Sequence, residues 1–185
     1  RFKNNRIKGV IEVNTIRKIG VVGAGQMGSG IAQVFAAAGY QVALCDQSEA
    51  ALEKGLNAIK TGLDRLVRKE KIDTQRADAI LQKINVVTQL ESLSDCDLVI
   101  EAIIEDTAIK SDLFRQLDQI CKPEALLASN TSSISITLLA SATQRPEQVI
   151  GMHFMNPVPV MNLVEVIRAA QTSDSTHTAI MALTN

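Results

Sequence analysis

The sequence predicts an α/β fold in which a doubly wound, mainly parallel sheet is covered by helices on both faces. Two observations predict it. Short runs rich in Val, Ile, Leu and Ala alternate with longer helical patterns along most of the chain, which is typical of strand–helix–strand units. The runs lack a regular polar alternation, as expected of parallel strands that are buried on both faces.

The composition fits one well-buried domain. The chain has 185 residues, of which 46% are hydrophobic and only 3% aromatic, so its core has to be aliphatic. The net charge of −1 gives no reason to expect nucleic acid as a partner, and no apolar run reaches the roughly 20 residues that span a membrane. Cys45, Cys96 and Cys121 are widely separated and fit neither a zinc motif nor a disulfide framework, so we expect a reducing compartment and no metal site.

The beginning of the chain predicts a tail at residues 1–16, followed by one domain at residues 17–185. Four basic residues precede the first acidic residue. This pattern favours a solvated tail, although a vector-derived segment or the remainder of a targeting peptide has the same composition.

A glycine turn is the first sign of a ligand. Lys18–Val22 predicts a strand, residues 29–38 predict a helix, and between them Gly23, Gly25 and Gly28 have the G-x-G-x-x-G spacing of Rossmann folds. The first glycine permits the tight turn, the second leaves room for a pyrophosphate, and the third lets the helix pack closely on the strand. The free amides of that helix would hold the phosphates of a dinucleotide. A turn that only eases packing is the alternative.

Asp46 predicts which dinucleotide binds. It follows the next predicted strand, Gln41–Cys45, and lies 18 residues after Gly28, close to the offset of about 20 residues expected of a carboxylate that binds the ribose hydroxyls. Such a carboxylate would repel a 2′-phosphate and no Arg follows it, so NAD is favoured over NADP. Alternatively, Asp46 shares with Ser48 the capping of the next helix.

A helical hairpin at about residues 48–83 interrupts the strand–helix alternation. Its first helix has apolar residues at steps of three and four, and residues 74–83 form its second helix. The outer face carries Arg65, Arg68 and Lys69. This face is either a solvated charged surface or a landing place for a phosphate-rich substrate.

The remaining residues predict five strands and three helices. The strands are 84–88, 98–102, 125–128, 148–152 and 163–167, and the first two helices are 107–121 and 136–142. The last helix ends at Leu183 and is capped by Asp174 or Ser175.

Polar side chains follow the ends of the predicted strands, on the side of the sheet where the glycine turn lies. They include Asn130, Ser132 and His153. Glu165 lies in the middle of the apolar last strand, where we expect it to be buried, and an unpaired carboxylate would be costly there. Pairing with His153 removes that cost and makes the imidazole a general base; a purely structural hydrogen bond is the alternative.

These motifs together resemble the L-3-hydroxyacyl-CoA dehydrogenase family, and within it the short-chain bacterial 3-hydroxybutyryl-CoA dehydrogenases. The resemblance covers residues 17–185 and is carried by the glycine turn and four further segments. The segments are Glu101-Ala102-Ile103, Ser129-Asn130-Thr131-Ser132-Ser133, Gly151-Met152-His153-Phe154-Met155-Asn156-Pro157 and the strand that contains Glu165.

The resemblance implies NAD-dependent oxidation of an (S)-3-hydroxyacyl-CoA to a 3-oxoacyl-CoA, and the reverse reaction, in fatty-acid or butanoate metabolism. His153 would be the catalytic base, Glu165 its partner, Ser132 the group that binds the substrate oxygen, and Asn156 a support for His153 or for the cofactor. The implied NAD-binding residues are Gly23, Gly25, Gln26, Met27, Gly28, Asp46, Glu105, Lys110 and Asn130. Lys69, with Arg65, would bind the phosphates of CoA, although Gly62 stands where the family has a hydroxyl.

The resemblance also implies parts of a larger protein. Family members have a second, all-helical domain that completes the acyl-CoA cleft and carries dimer contacts, and we expect it to be absent from these residues. We therefore expect NAD binding with little or no turnover from this chain, and a homodimer for the complete protein. A cytoplasmic, bacterial location is favoured, with the mitochondrial matrix as the alternative. A related hydroxy-acid or sugar-acid dehydrogenase and a non-catalytic NAD-binding protein are the competing interpretations.

Overall fold

The helices of this chain begin where side chains can cap them. In the computed structural model, which describes residues 16–184, five of six α-helices have a Ser or Asp N-cap whose side chain accepts a backbone amide three residues on. The caps are Ser48, Asp73, Asp106, Ser135 and Ser173. Each satisfies a donor that a helix start otherwise leaves free.

The described residues form seven strands and six α-helices. The strands are β1 (Lys18–Val22), β2 (Gln41–Cys45), β3 (Ile84–Val87), β4 (Leu98–Glu101), β5 (Leu126–Ser129), β6 (Val149–Phe154) and β7 (Val164–Arg168). The helices are α1 (Gln26–Ala37), α2 (Glu49–Arg68), α3 (Thr74–Leu81), α4 (Thr107–Ile120), α5 (Ile136–Ser141) and α6 (Asp174–Leu183). Two short 3₁₀ turns, Leu90–Leu93 and Pro146–Gln148, precede β4 and β6.

The strands form one sheet in the order β3-β2-β1-β4-β5-β6-β7. All neighbours are parallel except β6 and β7, which are antiparallel. From β1 the chain moves to one side of the sheet, and from β4 it moves to the other. The carboxyl ends of these two central strands therefore border the crevice where doubly wound sheets bind their ligands.

Apolar side chains cover both faces of the sheet. Ile19 and Val21 of β1 belong to the core under α1, α2, α3 and α6, whereas Val22 belongs to the core under α4 and α5. Alternate residues of each strand thus face opposite layers. The predicted fold class, including the helical hairpin made by α2 and α3, is confirmed.

Several predicted boundaries differ from the observed ones by one to three residues, and three of the differences have a structural reason. Helix α1 begins at Gln26, three residues earlier than predicted, because Gly25 starts the helix without a capping side chain. Strand β6 continues through Phe154, because β7 pairs with its last residues. Helix α6 is capped by Ser173, not by Asp174 or Ser175.

Within residues 16–184, no helix is both long enough and apolar enough to cross a membrane. The predicted tail lies outside the described residues except for Ile16, which is buried.

Candidate active site

The glycine turn between β1 and α1 fits a dinucleotide. Gly23 has a φ of +104°, and a Cβ on Gly28 would lie 1.8 Å from the carbonyl oxygen of Gly23, so neither position accepts a side chain. Gly25 has nothing within 4 Å of its Cβ position, and no side chain caps α1. The turn therefore leaves open space in front of the free amides of a 12-residue helix, as a pyrophosphate requires.

Asp46 supports the start of α2, which is part of the alternative role predicted for it, but Ser48 is the residue that caps the helix. Its carboxylate accepts the amides of Ala24 at 2.9 Å and of Ser48 at 2.9 Å, while Ser48 itself caps α2. Asp46 thus fixes the glycine turn against the end of β2. It also lines a cavity of about 340 Å³ with Gly23 and Ile103, so it has access to a ribose bound there.

His153 and Glu165 form a hydrogen-bonded pair across two strands. They are directly opposite in the antiparallel ladder of β6 and β7, and Nδ1 of His153 lies 2.8 Å from Oε2 of Glu165. The pairing predicted from the sequence is present, and its catalytic role stays a prediction.

The predicted surroundings of this pair are wrong in two respects. His153 is the fifth residue of β6 and does not follow the strand. The Glu165 side chain is 55% exposed instead of buried, and it lies on β7, the last strand of the sheet, which has a neighbouring strand on one side only. Leu163 and Ile167 on the same stretch are exposed as well.

A cavity of about 310 Å³ brings the predicted polar residues together at the ends of β4, β5 and β6. Its lining includes Asn130, Ser132 and His153, and also Met27 of the glycine turn. The Asn130 side-chain oxygen accepts the amide of Phe154 at 2.8 Å, so the ends of β5 and β6 are cross-linked. Asn130 therefore lines the cavity next to Ser132 and His153 while its side-chain oxygen is used within the protein.

A buried ionic network underlies this cavity. The Lys110 side chain is 1% exposed and forms an ion pair with Glu101, which is 0% exposed. A second carboxylate, Glu105, lies 3.3 Å from the Lys110 ammonium. Removing one partner of such a buried pair typically costs about 3–5 kcal/mol, because the other charge loses its compensation. Sequence reasoning did not select Glu101 as a site residue; the only signal was its presence in the Glu101-Ala102-Ile103 segment.

Glu105 is held in its charged form. Burial alone would raise its pKa, but hydrogen bonds from Thr131 and Ser133 and the positive charge of Lys110 hold the pKa of Glu105 below its ordinary value. The carboxylate is 41% exposed and lines the cavity. It therefore contributes a negative charge to the site.

The glycine turn also contacts the loop that follows β6. Nε2 of Gln26 donates to Oδ1 of Asn156 at 3.0 Å. A Cβ on Gly30 of α1 would lie 2.8 Å from Val158, so the helix and this loop are in close contact. Two predicted site residues, Gln26 and Asn156, thus touch each other.

A larger cavity of about 910 Å³ lies between α1 and α2 and reaches the 157–160 loop. Arg65 and Lys69 line it, as does Lys54, which sequence reasoning missed, whereas Arg68 is not in the lining. Gly62 also lines it, and a Cβ there would lie 3.4 Å from the Gln33 side chain. The cavity therefore combines an apolar floor with three cations.

The switch-point glycine turn, the carboxylate at the end of β2 and the cavity at the strand ends define a Rossmann-type dinucleotide-binding domain. A family model described as the NAD binding domain of 3-hydroxyacyl-CoA dehydrogenase matches residues 18–185. The chain belongs to this family. The predicted family and the predicted cofactor, NAD, are confirmed.

Similar curated proteins carry related names. A probable 3-hydroxybutyryl-CoA dehydrogenase of Deinococcus radiodurans is 57% identical over 159 residues, which are 86% of this chain and 57% of that protein. A probable 3-hydroxybutyryl-CoA dehydrogenase of Bacillus subtilis is 50% identical over 91% of this chain and 58% of its own length.

Solved structures agree with these relatives. The crystal structure of (S)-3-hydroxybutyryl-CoA dehydrogenase from Ralstonia eutropha superposes with a TM-score of 0.90 and 48% identity, over 92% of this chain and 60% of the other. The chain thus spans somewhat more than half the length of the relatives it matches.

Proposed function

We propose that this chain is the NAD-binding half of an enzyme that interconverts (S)-3-hydroxyacyl-CoA and 3-oxoacyl-CoA. The observation that carries the proposal is the His153–Glu165 pair, with 2.8 Å between Nδ1 and Oε2, at a cavity that also contains Ser132. The names of the 3-hydroxybutyryl-CoA dehydrogenases that resemble the chain support the reaction class.

His153 acts as the acid–base group. With the proton of its neutral ring on Nδ1 and donated to Glu165, the lone pair on Nε2 is available to take the proton of the substrate 3-hydroxyl. The Glu165 carboxylate fixes this tautomer and stabilises the positive charge that develops on the ring. NAD, when bound, supplies the hydride acceptor. In the reverse direction, protonated His153 returns the proton to the substrate oxygen.

Ser132 and Asn130 orient the reactants. The Ser132 hydroxyl binds the substrate oxygen and so restricts the reacting carbon to one approach. The free amide group of Asn130, together with Glu105, binds the nicotinamide side of the cofactor. Asn156 is held by Gln26 and supports the loop next to His153.

The cavity between α1 and α2 takes the CoA portion of the substrate. Lys54, Arg65 and Lys69 provide positive charge for its phosphates, and the apolar floor accepts the uncharged portion. The homodimer of the complete protein, its cytoplasmic location and its place in fatty-acid or butanoate metabolism stay predictions.

A related dehydrogenase with a smaller hydroxy acid as substrate is the second candidate. The structure of a diketoreductase that acts on dicarbonyl compounds is 25% identical to this chain and superposes with a TM-score of 0.85. The three cations of the large cavity favour the CoA thioester. Comparing acetoacetyl-CoA with acetoacetate as the oxidant of NADH separates the two candidates.

The test is NADH oxidation at 340 nm with acetoacetyl-CoA, next to calorimetry of NADH binding. Single-turnover conditions with stoichiometric protein resolve the low rate that we expect of this chain alone. His153→Asn should slow the reaction by roughly 10²–10⁴-fold, the usual contribution of an acid–base group, without weakening NADH binding. His177→Asn in α6 is the matched control and should behave like the unaltered chain.

Two results would contradict the proposal. If His153→Asn reacts as fast as the His177 control, His153 is not the acid–base group. If the unaltered chain does not bind NADH, it is not the NAD-binding half of such an enzyme. NADH binding without oxidation is the result expected if a second domain is needed for turnover, and the His153 comparison is then made in the complete protein.

A further inference from the structure

Glu101 occupies a central place in the sheet that the proposed reaction does not use. It is the last residue of β4 and pairs with Val22 of β1 on one side and with Ser129 of β5 on the other. It is 0% exposed. A carboxylate is costly at such a position unless directed contacts compensate it, so its partners indicate its role.

Oxygen atoms of Glu101 accept hydrogen bonds from the start of the 129–133 loop and from Ile103, and its carboxylate also pairs with Lys110. Oε2 accepts the Ser129 hydroxyl at 2.6 Å, and the main-chain oxygen accepts the Asn130 amide at 2.8 Å. Oε1 accepts the Ile103 amide at 2.7 Å and pairs with Lys110. The side chain and the main chain of one residue thus hold two consecutive residues of β5 and its loop.

Lys110 extends this hold to the other end of the loop. Its ammonium joins Glu101 to Glu105. Glu105 in turn accepts the hydroxyl of Ser133 at 3.0 Å and that of Thr131. Ser132, which lies between these two residues and lines the cavity, is therefore flanked by anchored neighbours.

The loop also determines the position of the strand that carries His153. Asn130, whose amide is held by Glu101, accepts the amide of Phe154, the residue next to His153. A displacement of the loop would therefore reach both Ser132 and the end of β6.

We propose that Glu101 is a positioning residue that acts through Ser129 and through Lys110 to fix the 129–133 loop, and with it Asn130 and Ser132. The inference depends on the proposed function for the roles of Ser132 and His153. A buried ion pair is a poor means of gaining stability alone, since apolar residues of similar volume often do as well. Its directed hydrogen bonds instead specify where the loop lies.

Glu101→Gln is the test, because it keeps the side-chain volume and removes the charge that Lys110 requires. Asp97→Asn is the matched control: Asp97 precedes the amino end of the same strand, and its carboxylate also accepts main-chain amides and pairs with a lysine, Lys122. The control therefore destabilises the same strand far from the cavity.

Amide hydrogen exchange is the first measurement, and it needs no substrate. In Glu101→Gln, the amides of Ser133, Ile134 and Phe154, which donate to Thr131 or Asn130, should exchange at least about tenfold faster than in the control. Calorimetry should show NADH binding weakened by about tenfold relative to the control, in line with the sensitivity of oriented groups to small displacements.

The inference is overturned if these amides exchange as in Asp97→Asn, or if the two variants bind NADH with equal affinity. If Glu101→Gln does not fold, Ser129→Ala decides, because it removes the bond to Oε2 and leaves the ion pair intact; normal exchange at Ser133 and Phe154 would then refute the inference. Unchanged activity of His153→Asn would count against the proposed function only, since exchange reports the loop directly.

Discussion

Gly25 and Gly28 lie three residues apart in the same turn, and the structure predicts opposite consequences for an alanine at each. At Gly28 the new Cβ would be 1.8 Å from the Gly23 oxygen, whereas real Cβ contacts start near 3.0 Å. The turn and α1 would have to separate by more than 1 Å. Because the obstructing atom belongs to the backbone, we take the upper part of the usual range for overpacking, about 3 kcal/mol.

At Gly25 the same substitution should leave stability nearly unchanged. Its φ of −69° and ψ of −171° suit any residue, and nothing lies within 4 Å of the Cβ position. Alanine is a poorer residue than glycine at a helix start, which destabilises the protein, but it also reduces the entropy of the unfolded chain, which stabilises it. Because the two effects offset each other, we expect the free energy of unfolding to change by less than about 1 kcal/mol. The methyl group would instead occupy the space assigned to the pyrophosphate and weaken NADH binding at least about tenfold, or about 1.4 kcal/mol.

Urea unfolding and NADH calorimetry on both variants measure these effects. For Gly28→Ala, about 3 kcal/mol corresponds to a fall in Tm of about 6–12 °C for a chain of this size. Gly39→Ala is the control: Gly39 has a φ of +105° and open space around it, so alanine should cost about 1–2 kcal/mol in backbone strain and leave NADH binding unchanged. The reasoning is refuted if Gly25→Ala binds NADH normally or if Gly28→Ala is as stable as the unaltered chain.

Two further predictions concern pH. Burial would raise the pKa of Asp97, but hydrogen bonds from Lys122 and from the amides of Lys18 and Arg17 hold that pKa below its ordinary 3.8. The charged Asp97 therefore stabilises the folded protein above pH 3.8, and this stabilisation is lost as the pH falls through the pKa that Asp97 has in the folded state. Asp97→Asn should lower the free energy of unfolding by about 2 kcal/mol at pH 7 and by much less at acid pH. A difference between the variant and the unaltered chain that stays the same at every pH in urea unfolding would contradict this. Burial raises the pKa of Cys96 from its ordinary 9.0 to about 12. The buried neutral thiol therefore contributes its full stabilisation of the folded state below pH 9, and that stabilisation is lost as the pH rises toward 12. Stability should fall above pH 9 by about 1.4 kcal/mol per pH unit for this thiol, and Cys96→Ala should flatten the decline; an equally steep decline in that variant would exclude the thiol.

Local signals made most of the fold predictable. Strand β1, the glycine turn and β2 are adjacent in sequence, and the apolar stripe of α2 is a property of one segment. The start of α1 was not predictable in this way, because Gly25 offers no capping side chain and the helix begins at amides that are left free for a ligand.

The site was predictable in its residue types but not in its surroundings. The apolar residues around Glu165 predicted a buried strand, but burial depends on what packs against the strand. Because β7 lies at the edge of the sheet, Glu165 is exposed. The contact of Glu101 with Lys110 joins a strand end to a helix across a turn, nine residues apart, where no helical or strand periodicity applies. Lys54 was missed because its role depends on the distance between α1 and α2.

The antiparallel ladder between β6 and β7 places His153 directly opposite Glu165. Because the pair is set by main-chain hydrogen bonds, the loop at residues 155–163 can change its length without changing which side chains meet. A deletion of one residue inside β7 has the opposite consequence, since it places a valine opposite His153 and turns the remaining side chains to the other face. A change of length between the two strands therefore keeps His153 opposite Glu165, whereas the same change within either strand separates the two residues.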